Sequence, residues 1–433
     1  MYNYIDYTHN YGRIMQFNKN KTEPIHRWYS FVEGYSKEFI KSIIDEVESK
    51  SKSLVCMEPF SGSGTTALEL QNLGIKCISF EVNPFMYLIS KVKLYKHYDC
   101  EEVIFWHDHI IEKASAIDLK EIQSCFPTLF QGEGKKKWNL DYEVGMAIEK
   151  IRLSIDDIEN KVYSDLFIAA LSSILLEVSN LYRNGKCLSY KPNWREQNLS
   201  QEDVIKSFSE KVMNEFIPDI RRHQEIVNQG TSSIENYDYV YNDDCRIAIE
   251  KYVEDGSVDL VITSPPYLNS RDYTDTYMLE LKALGFTKNI NDIAILRKKT
   301  LRSHVQVKWD DLAEIDNVLL EDTIKRLKEA EEKHAGWNSG IIDMVRLYFV
   351  DMERLFSVLS QKIKKGGRVY FNVSNSAYYG IGINSIEICA SIAEKNRFLI
   401  KEIRKARYLK TSPQQKDIIG KLLEGVIVME RIS

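Results

Sequence analysis

The chain has 433 residues, 44% hydrophobic and 28% charged, which suits a globular protein with one catalytic core and a substantial extra module. Its net charge of −5 supplies no overall basic field, so any contact with a polyanion must rest on a local patch. No apolar run is long enough to span a bilayer, the polar start MYNYIDYTHN does not read as a secretory signal, and the seven scattered cysteines form no CxxC pair; a reduced, metal-free protein of the cytoplasm is expected.

Short apolar runs that stop at turns recur along the chain. Residues 53–58 end at Pro59 and a glycine-rich loop, and residues 76–81 end before Asn83-Pro84. Residues 100–235 interrupt the series. Within them Ile148, Ile151, Ile155 and Ile158, at spacings of three and four, predict helix, and residues 183–192 read as a polar, basic turn region. Strands resume at 239–244 and 258–263. A second departure, at 285–340, holds a basic piece from Arg297 to Arg302, then Lys308-Trp309, then an exposed helix rich in Glu and Lys. Val345, Tyr348, Phe349, Met352, Leu355, Phe356 and Leu359 mark the apolar face of a further helix. Lys362, Lys364 and Lys365 form its basic last turn, and Gly366-Gly367 its stop. Runs at 367–373, 398–403 and 425–430 complete the strands. This alternation predicts an α/β fold, a doubly wound, mostly parallel sheet with helices on both faces. The catalytic domain would be discontinuous, 1–99 and 236–433, with a mainly helical module inserted at 100–235 and a smaller insertion at 285–340.

Glu58-Pro59-Phe60-Ser61-Gly62-Ser63-Gly64-Thr65-Thr66 joins the first of these strands to a helix beginning near Thr65. Glycines there let the backbone turn sharply and let a ligand approach where a Cβ would collide. The loop lacks the GxxxxGK[ST] pattern of a phosphate cradle, and Ala67 stands where a dinucleotide-binding GxGxxG has its third glycine. The strand ends instead in a carboxylate, Glu58, which suits a cationic ligand better than an anion. S-adenosylmethionine (SAM) carries both an ammonium and a sulfonium and is the expected cofactor. Glu81, ending the next strand, can accept hydrogen bonds from both ribose hydroxyls; a solvated strand end is the plainer alternative. Asp243 and Asp244 end the third strand, where one can take the adenine amino hydrogen and one can cap the helix that starts at Cys245.

Thr263-Ser264-Pro265-Pro266-Tyr267 follows the strand at 258–263. An exocyclic amino nitrogen of a base is a poor nucleophile because its lone pair is delocalised into the ring. Backbone carbonyls at Ser264 and Pro265, held rigid by the prolines, can accept the two amino hydrogens and free that lone pair. Proline has no N–H, so no donor competes in the acceptor wall. Tyr267 can stack on a base that has left the duplex.

The two motifs resemble those of the amino-group DNA methyltransferases, which make N4-methylcytosine or N6-methyladenine. The match covers about 20–95 and 236–432. It implies a seven-stranded sheet whose last strand is antiparallel, and a cofactor pocket drawn from Pro59, Phe60, Gly62, Gly64, Thr65, Thr66, Asn83 and Thr263. The segment 26–31 resembles the one that walls the methionine end of SAM, through Tyr29 and Phe31, and 411–415 resembles a late loop before the final strand. Ser264 before the two prolines is more typical of cytosine-N4 members than of adenine-N6 members. The order of motifs implies a target-recognition region between them, double-stranded DNA as partner, and pairing with a restriction endonuclease or defence system. An RNA or tRNA amino methyltransferase shares this chemistry, and a non-catalytic SAM-binding subunit of a modification complex is an alternative of another class. Cytosine-C5 chemistry is excluded, because no Pro-Cys dipeptide occurs.

Expected nucleic-acid contacts are Lys186, Tyr190, Lys191 and Trp194 in the module, and Arg297, Lys298, Lys299, Arg302, His304 and Lys308 in the smaller insertion. Taken one at a time, each also reads as ordinary charged surface. Arg271 and Tyr273, close after Tyr267, are expected to line the base pocket.

Overall fold

The computed structural model describes residues 2–32, 34–47, 54–185, 187–228, 234–268, 272–309, 313–332, 340–411 and 416–432. Its main sheet is built from β1 (Tyr4–Asp6), β2 (Val55–Glu58), β3 (Lys76–Phe80), β6 (Val240–Tyr241), β7 (Val258–Thr263), β8 (Ile363–Ser374), β11 (Phe398–Lys410) and β12 (Lys421–Arg431), in the order β1-β11-β12-β8-β7-β2-β3-β6. Small hairpins are formed by β4 (Leu181–Asn184) with β5 (Cys187–Tyr190), and by β9 (Ser376–Tyr378) with β10 (Ile381–Ile383). β12 runs antiparallel to both its neighbours, while β7, β8, β2, β3 and β6 run parallel. The sheet has eight strands rather than seven: Tyr4–Asp6 adds an edge strand parallel to β11, with Tyr4 opposite Ile403.

Period-two alternation on the central strands divides the apolar residues between two layers. Cys56, Leu260, Ile262, Tyr370, Val426 and Val428 enter one core, and Met57, Val258, Val261, Val369, Phe371, Ile427 and Met429 enter the other. The first layer holds α1 (Lys37–Val47), α2 (Thr65–Asn72) and α3 (Pro84–Leu94). The second holds α9 (Cys245–Tyr252), α12 (Ile341–Lys362) and α13 (Ser385–Lys395). The predicted face of α12 is buried. Its helix ends at Lys362, but β8 begins at once, at Ile363. Gly366, at φ +81°, absorbs a register irregularity against β7 instead of stopping a helix.

Residues 100–228 fold as α4 (Cys100–Ala116), α5 (Tyr142–Ile155), α6 (Lys161–Val178), α7 (Gln201–Lys211) and α8 (Ile217–Asn228), with a π-helical turn at Val212–Phe216. The β4–β5 hairpin occupies most of the segment read as a basic turn region: two four-residue strands are too short to show a pattern. Within 285–340 lie α10 (Ile290–Lys299) and α11 (Val318–Glu331). Among the described residues no helix is long and apolar enough to cross a membrane, and no group of three or more His, Cys, Asp or Glu could hold a metal ion.

One buried carboxylate fastens the module to the N-terminal segment. Asp219 of α8 accepts from the Ile25 N–H at 2.8 Å, from Trp28 Nε1 at 3.0 Å and from Arg27 through Nε at 3.0 Å and Nη2 at 2.7 Å. The Trp28 ring stacks on Phe216, with centroids 4.6 Å apart. Removing one member of such a buried, charge-assisted set leaves donors without partners. Asp219→Ala should therefore destabilise the protein by about 3 kcal/mol, read as a lowered urea midpoint.

Candidate active site

The carboxyl ends of β2, β3, β6 and β7 open onto one crevice of about 680 Å³. It lies where the sheet order reverses, since chain order runs outward from β2 to β3 and β6 on one side and from β7 to β8 on the other. Loops after parallel strands diverge at such a point and leave room for a ligand. The first loop contributes Pro59, Phe60, Gly62, Thr65 and Thr66, the second Glu81 and Asn83, the third Asp243 and Asp244, and the fourth Ser264, Pro265, Pro266 and Tyr267. Phe31 and Tyr273 line it as well. The two motifs, some two hundred positions apart in sequence, thus face one space.

Glu58 does not line the crevice. Its carboxylate is 1% exposed and accepts four hydrogen bonds: from the Phe60 N–H at 3.0 Å, Thr66 Oγ1 at 3.0 Å, the Tyr35 hydroxyl at 2.6 Å and Thr263 Oγ1 at 2.5 Å. Protein donors occupy both oxygens, so the direct ligand contact expected of Glu58 is replaced by a bracing role. Thr263, fully buried, belongs to the same brace. Burial pushes the Glu58 carboxyl up to about 7, against the lowering effect of those donors.

Glu81 accepts from the Gly62 N–H and the Asn83 N–H, each at 2.8 Å, and burial likewise raises it to about 7. Asn83 caps α3 through Phe85 N–H. The glycines are also required by the protein's own packing. A Cβ on Gly62, at φ +53°, would lie 2.7 Å from Phe31 Cζ, and one on Gly64, at φ +81°, would lie 2.6 Å from Ser90 Oγ. Their missing side chains make room for protein neighbours, and Gly64 is packed behind the crevice wall.

Of the two aspartates, Asp244 is the cap. It accepts from the Arg246 N–H at 3.0 Å and pairs with the Arg246 guanidinium at 2.6 Å. Asp243 accepts the Asp244 N–H and is the less encumbered carboxylate at the crevice. Tyr29 is set back from the crevice. It is buried, with its hydroxyl donating to Glu280 at 2.7 Å and paired with Arg183. Its neighbour Tyr277 stacks on Phe31 at 5.9 Å, so Tyr29 supports the wall at one remove.

Several residues expected on a nucleic-acid surface are buried or tied to protein partners. Arg302 is 3% exposed and pairs with buried Asp351 at 2.7 Å. Arg297 is held by Asp272 at 2.6 Å and Asp275 at 2.5 Å. His304 is buried in the crevice wall, with Nε2 3.0 Å from Thr300 Oγ1. Trp194 is buried against Tyr190 and Trp138, and Lys191 donates to the Glu177 carbonyl at 2.7 Å. In each, a carboxylate, a carbonyl, a hydroxyl or an aromatic core engages the group that was to meet phosphate or base. Tyr273 turns its hydroxyl to the Tyr267 N–H at 3.2 Å. Lys298 and Lys308 are exposed, and Lys299 is exposed at the crevice rim. Lys186, Arg271 and 412–415 lie outside the described residues.

The structure also brings in residues that the sequence reading gave no role. Ser63, inside the first loop, lines the crevice with its Oγ buried and unbonded. Asn372 of β8, Arg407 of β11 and Glu424 of β12 line the side next to Tyr267. A carboxylate just before the run read as a strand at 425–430, as Glu424 is, was the one available signal.

This is the anatomy of an α/β enzyme that binds its ligand at the strand ends. No protein-family model matches the chain. The Type II methyltransferase M.AvaI of Nostoc sp. is 26% identical over 430 residues, covering 90% of this chain and 82% of that protein. M.BsoBI of Geobacillus stearothermophilus is 26% identical over 419 residues (88% and 80%), and M.MvaI of Kocuria varians 22% identical over 405 residues (87% and 83%). The chain is a relative of the Type II methyltransferases, and the resemblance drawn from its two motifs is borne out.

A carboxyl raised on folding keeps in the native state a proton that the unfolded chain releases. Stability then falls as pH rises from about 4.5 to about 7 and is level above. Glu58→Gln should remove the Glu58 share of that slope and leave the share of Glu81, whose carboxyl is raised alike, measured as urea midpoints across the window, and should destabilise the protein by about 1–3 kcal/mol because an amide oxygen cannot accept four hydrogen bonds.

Proposed function

We propose that the chain is a DNA methyltransferase acting on an exocyclic amino nitrogen of an extruded base, most favourably cytosine N4, with SAM as cofactor and no metal. What carries this reading is the meeting of the glycine loop and the Ser-Pro-Pro-Tyr loop at one crevice.

The crevice residues fit SAM. Ser63 Oγ is buried in the wall without a partner, as a group awaiting a ligand would be. Glu81 stands at the end of β3, suited to ribose hydroxyls, and Asp243 at the end of β6, suited to the adenine amino group. Phe31, with Tyr29 and Tyr277 behind it, gives an apolar wall for the methionine chain. Pro59, Phe60, Gly62, Thr65, Thr66 and Asn83 complete the cofactor side, with Glu58, Gly64, Asp244 and Thr263 holding it in shape. When bound, SAM supplies an electrophilic methyl group on a cationic sulfur.

The chain's own residues orient the nucleophile. The carbonyls of Ser264 and Pro265 take the amino hydrogens and draw the nitrogen lone pair out of conjugation. Pro266 keeps that wall rigid, and Tyr267 stacks on the base. The contribution is alignment and electrostatic preorganisation rather than covalent catalysis. Ser264 supports cytosine as target.

Double-stranded DNA would reach the crevice past the inserted module, 100–235, whose β4–β5 hairpin brings Arg183 and Gly185 to its lining, and past the smaller insertion, 285–340, whose Lys299 stands at the rim. These two insertions are the proposed target-reading parts, set on a catalytic domain of 1–99 and 236–433. The names of the relatives support a place in a restriction-modification system with a cognate endonuclease.

Incubation with SAM and plasmid DNA, followed by digestion to nucleosides and mass spectrometry, should yield N4-methylcytosine. N6-methyladenine would move the target to the other amino base, and methylation of RNA alone would overturn the DNA reading. Tyr267→Ala should leave SAM affinity intact and slow turnover roughly 5- to 150-fold, the equivalent of about 1–3 kcal/mol of lost stacking, as read in a single-turnover methylation assay.

A further inference from the structure

Tyr267 is held at both ends. Its N–H donates to the Tyr273 hydroxyl at 3.2 Å, and its own hydroxyl donates to Glu424 Oε1 at 2.9 Å. Asn372 Nδ2 lies 2.6 Å from the same hydroxyl, 3.1 Å from Glu424 Oε1 and 3.3 Å from Ser264 Oγ. Ser264 Oγ is itself 3.3 Å from the Tyr267 hydroxyl. Glu424 is 1% exposed and forms an ion pair with Arg407. Three neighbouring strands supply the set: Arg407 stands directly opposite Glu424 across β11 and β12, and Asn372 sits opposite Val426, two residues along β12 from Glu424.

The chemistry of Glu424 orders this network. A carboxylate paired with a guanidinium only accepts hydrogen bonds, so it draws a donor from Tyr267 and a donor from Asn372. That fixes which way the Asn372 amide faces. Its Oδ1 has no partner among the described residues, and the hold on the amide that they show comes through Nδ2. The Tyr267 hydroxyl, with its hydrogen committed to Glu424, is left to accept from Asn372. An aromatic ring anchored only at its backbone could swing about its side-chain torsions; one whose far oxygen is tied to a buried ion pair cannot.

We propose that Glu424, braced by Arg407 and acting with Asn372, is a positioning residue for the methyl-transfer reaction. It fixes the position of the Tyr267 ring, so that a base stacking there arrives with its amino group in line with the cofactor. The proposal rests on the function proposed above and adds the residue that sets the geometry of its base platform. Neither Glu424 nor Arg407 belongs to a motif, and Glu424 lies 157 positions after Tyr267.

A double-mutant cycle tests it: Tyr267→Phe, Glu424→Ala and their combination, each assayed for single-turnover methylation of plasmid DNA and for SAM affinity by calorimetry. Tyr267→Phe keeps the ring and removes one oxygen; it should lower the chemical rate roughly tenfold with SAM affinity unchanged. Glu424→Ala should do the same, and the double variant should fall no further than the worse single one, within about twofold, because both remove one unit. Multiplying losses, or a Tyr267→Phe variant at the wild-type rate, would overturn the clamp while leaving the methyltransferase reading intact. An inactive wild type would instead count against the function itself. Should Glu424→Ala not fold, Glu424→Gln, which keeps the shape and loses the ion pair, enters the same cycle with the same expectation.

Discussion

The buried carboxylate of Glu58 joins the parts of the molecule that meet at the crevice. Its four donors come from the glycine loop through Phe60, from α2 through Thr66, from the N-terminal segment through Tyr35, and from the end of β7 through Thr263. Thr263 is the residue before Ser264. One side chain therefore sets the distance between the loop proposed to hold the cofactor and the loop proposed to orient the base. A carboxamide in its place could not satisfy so many donors. Burial disfavours the charge, as its raised pKa records, and the hydrogen bonds offset part of that cost.

Behind this brace several charged pairs are turned inward. Asp351 on α12 takes both Arg246 and Arg302, and Arg246 in turn holds Asp244 at the start of α9 and the carbonyls of Lys299 and Thr300. That cluster fixes the loop after α10 against the third strand end. Arg297 does similar service for the segment after the proline motif, through Asp272 and Asp275. Buried pairs of this kind add little net stability over apolar packing but specify one arrangement, which suits loops that must hold a pocket. With these arginines committed, exposed lysines such as Lys298, Lys299 and Lys308 are the cations left facing solvent in the smaller insertion.

The sequence made the crevice legible because its residues sit where strands stop. Glu81 and the Ser-Pro-Pro-Tyr loop each follow an apolar run of four to six residues, Asp243 follows the shorter Tyr239-Val240-Tyr241, and a parallel sheet delivers such ends to one side. The antiparallel last strand came with the family resemblance. What could not be read was anything decided by distant partners. Nothing around Arg302 announces Asp351, forty-nine positions away, and nothing around Glu424 announces Tyr267. The eighth strand, Tyr4–Asp6, has three residues and no periodicity, and the β4–β5 hairpin is hidden by polar strands four residues long. The glycines carry a packing constraint that the sequence did not announce, since their Cβ atoms would strike Phe31 and Ser90.

Everything proposed for this protein depends on the crevice holding the donor with its sulfur turned toward the proline loop. A crystal structure with S-adenosylhomocysteine bound tests that directly. The account predicts the ribose at Glu81, the adenine beside Asp243, the amino-acid end against Phe31, and the sulfur facing Pro265. Product bound elsewhere, or bound in this crevice with its sulfur turned away from Pro265, would contradict it.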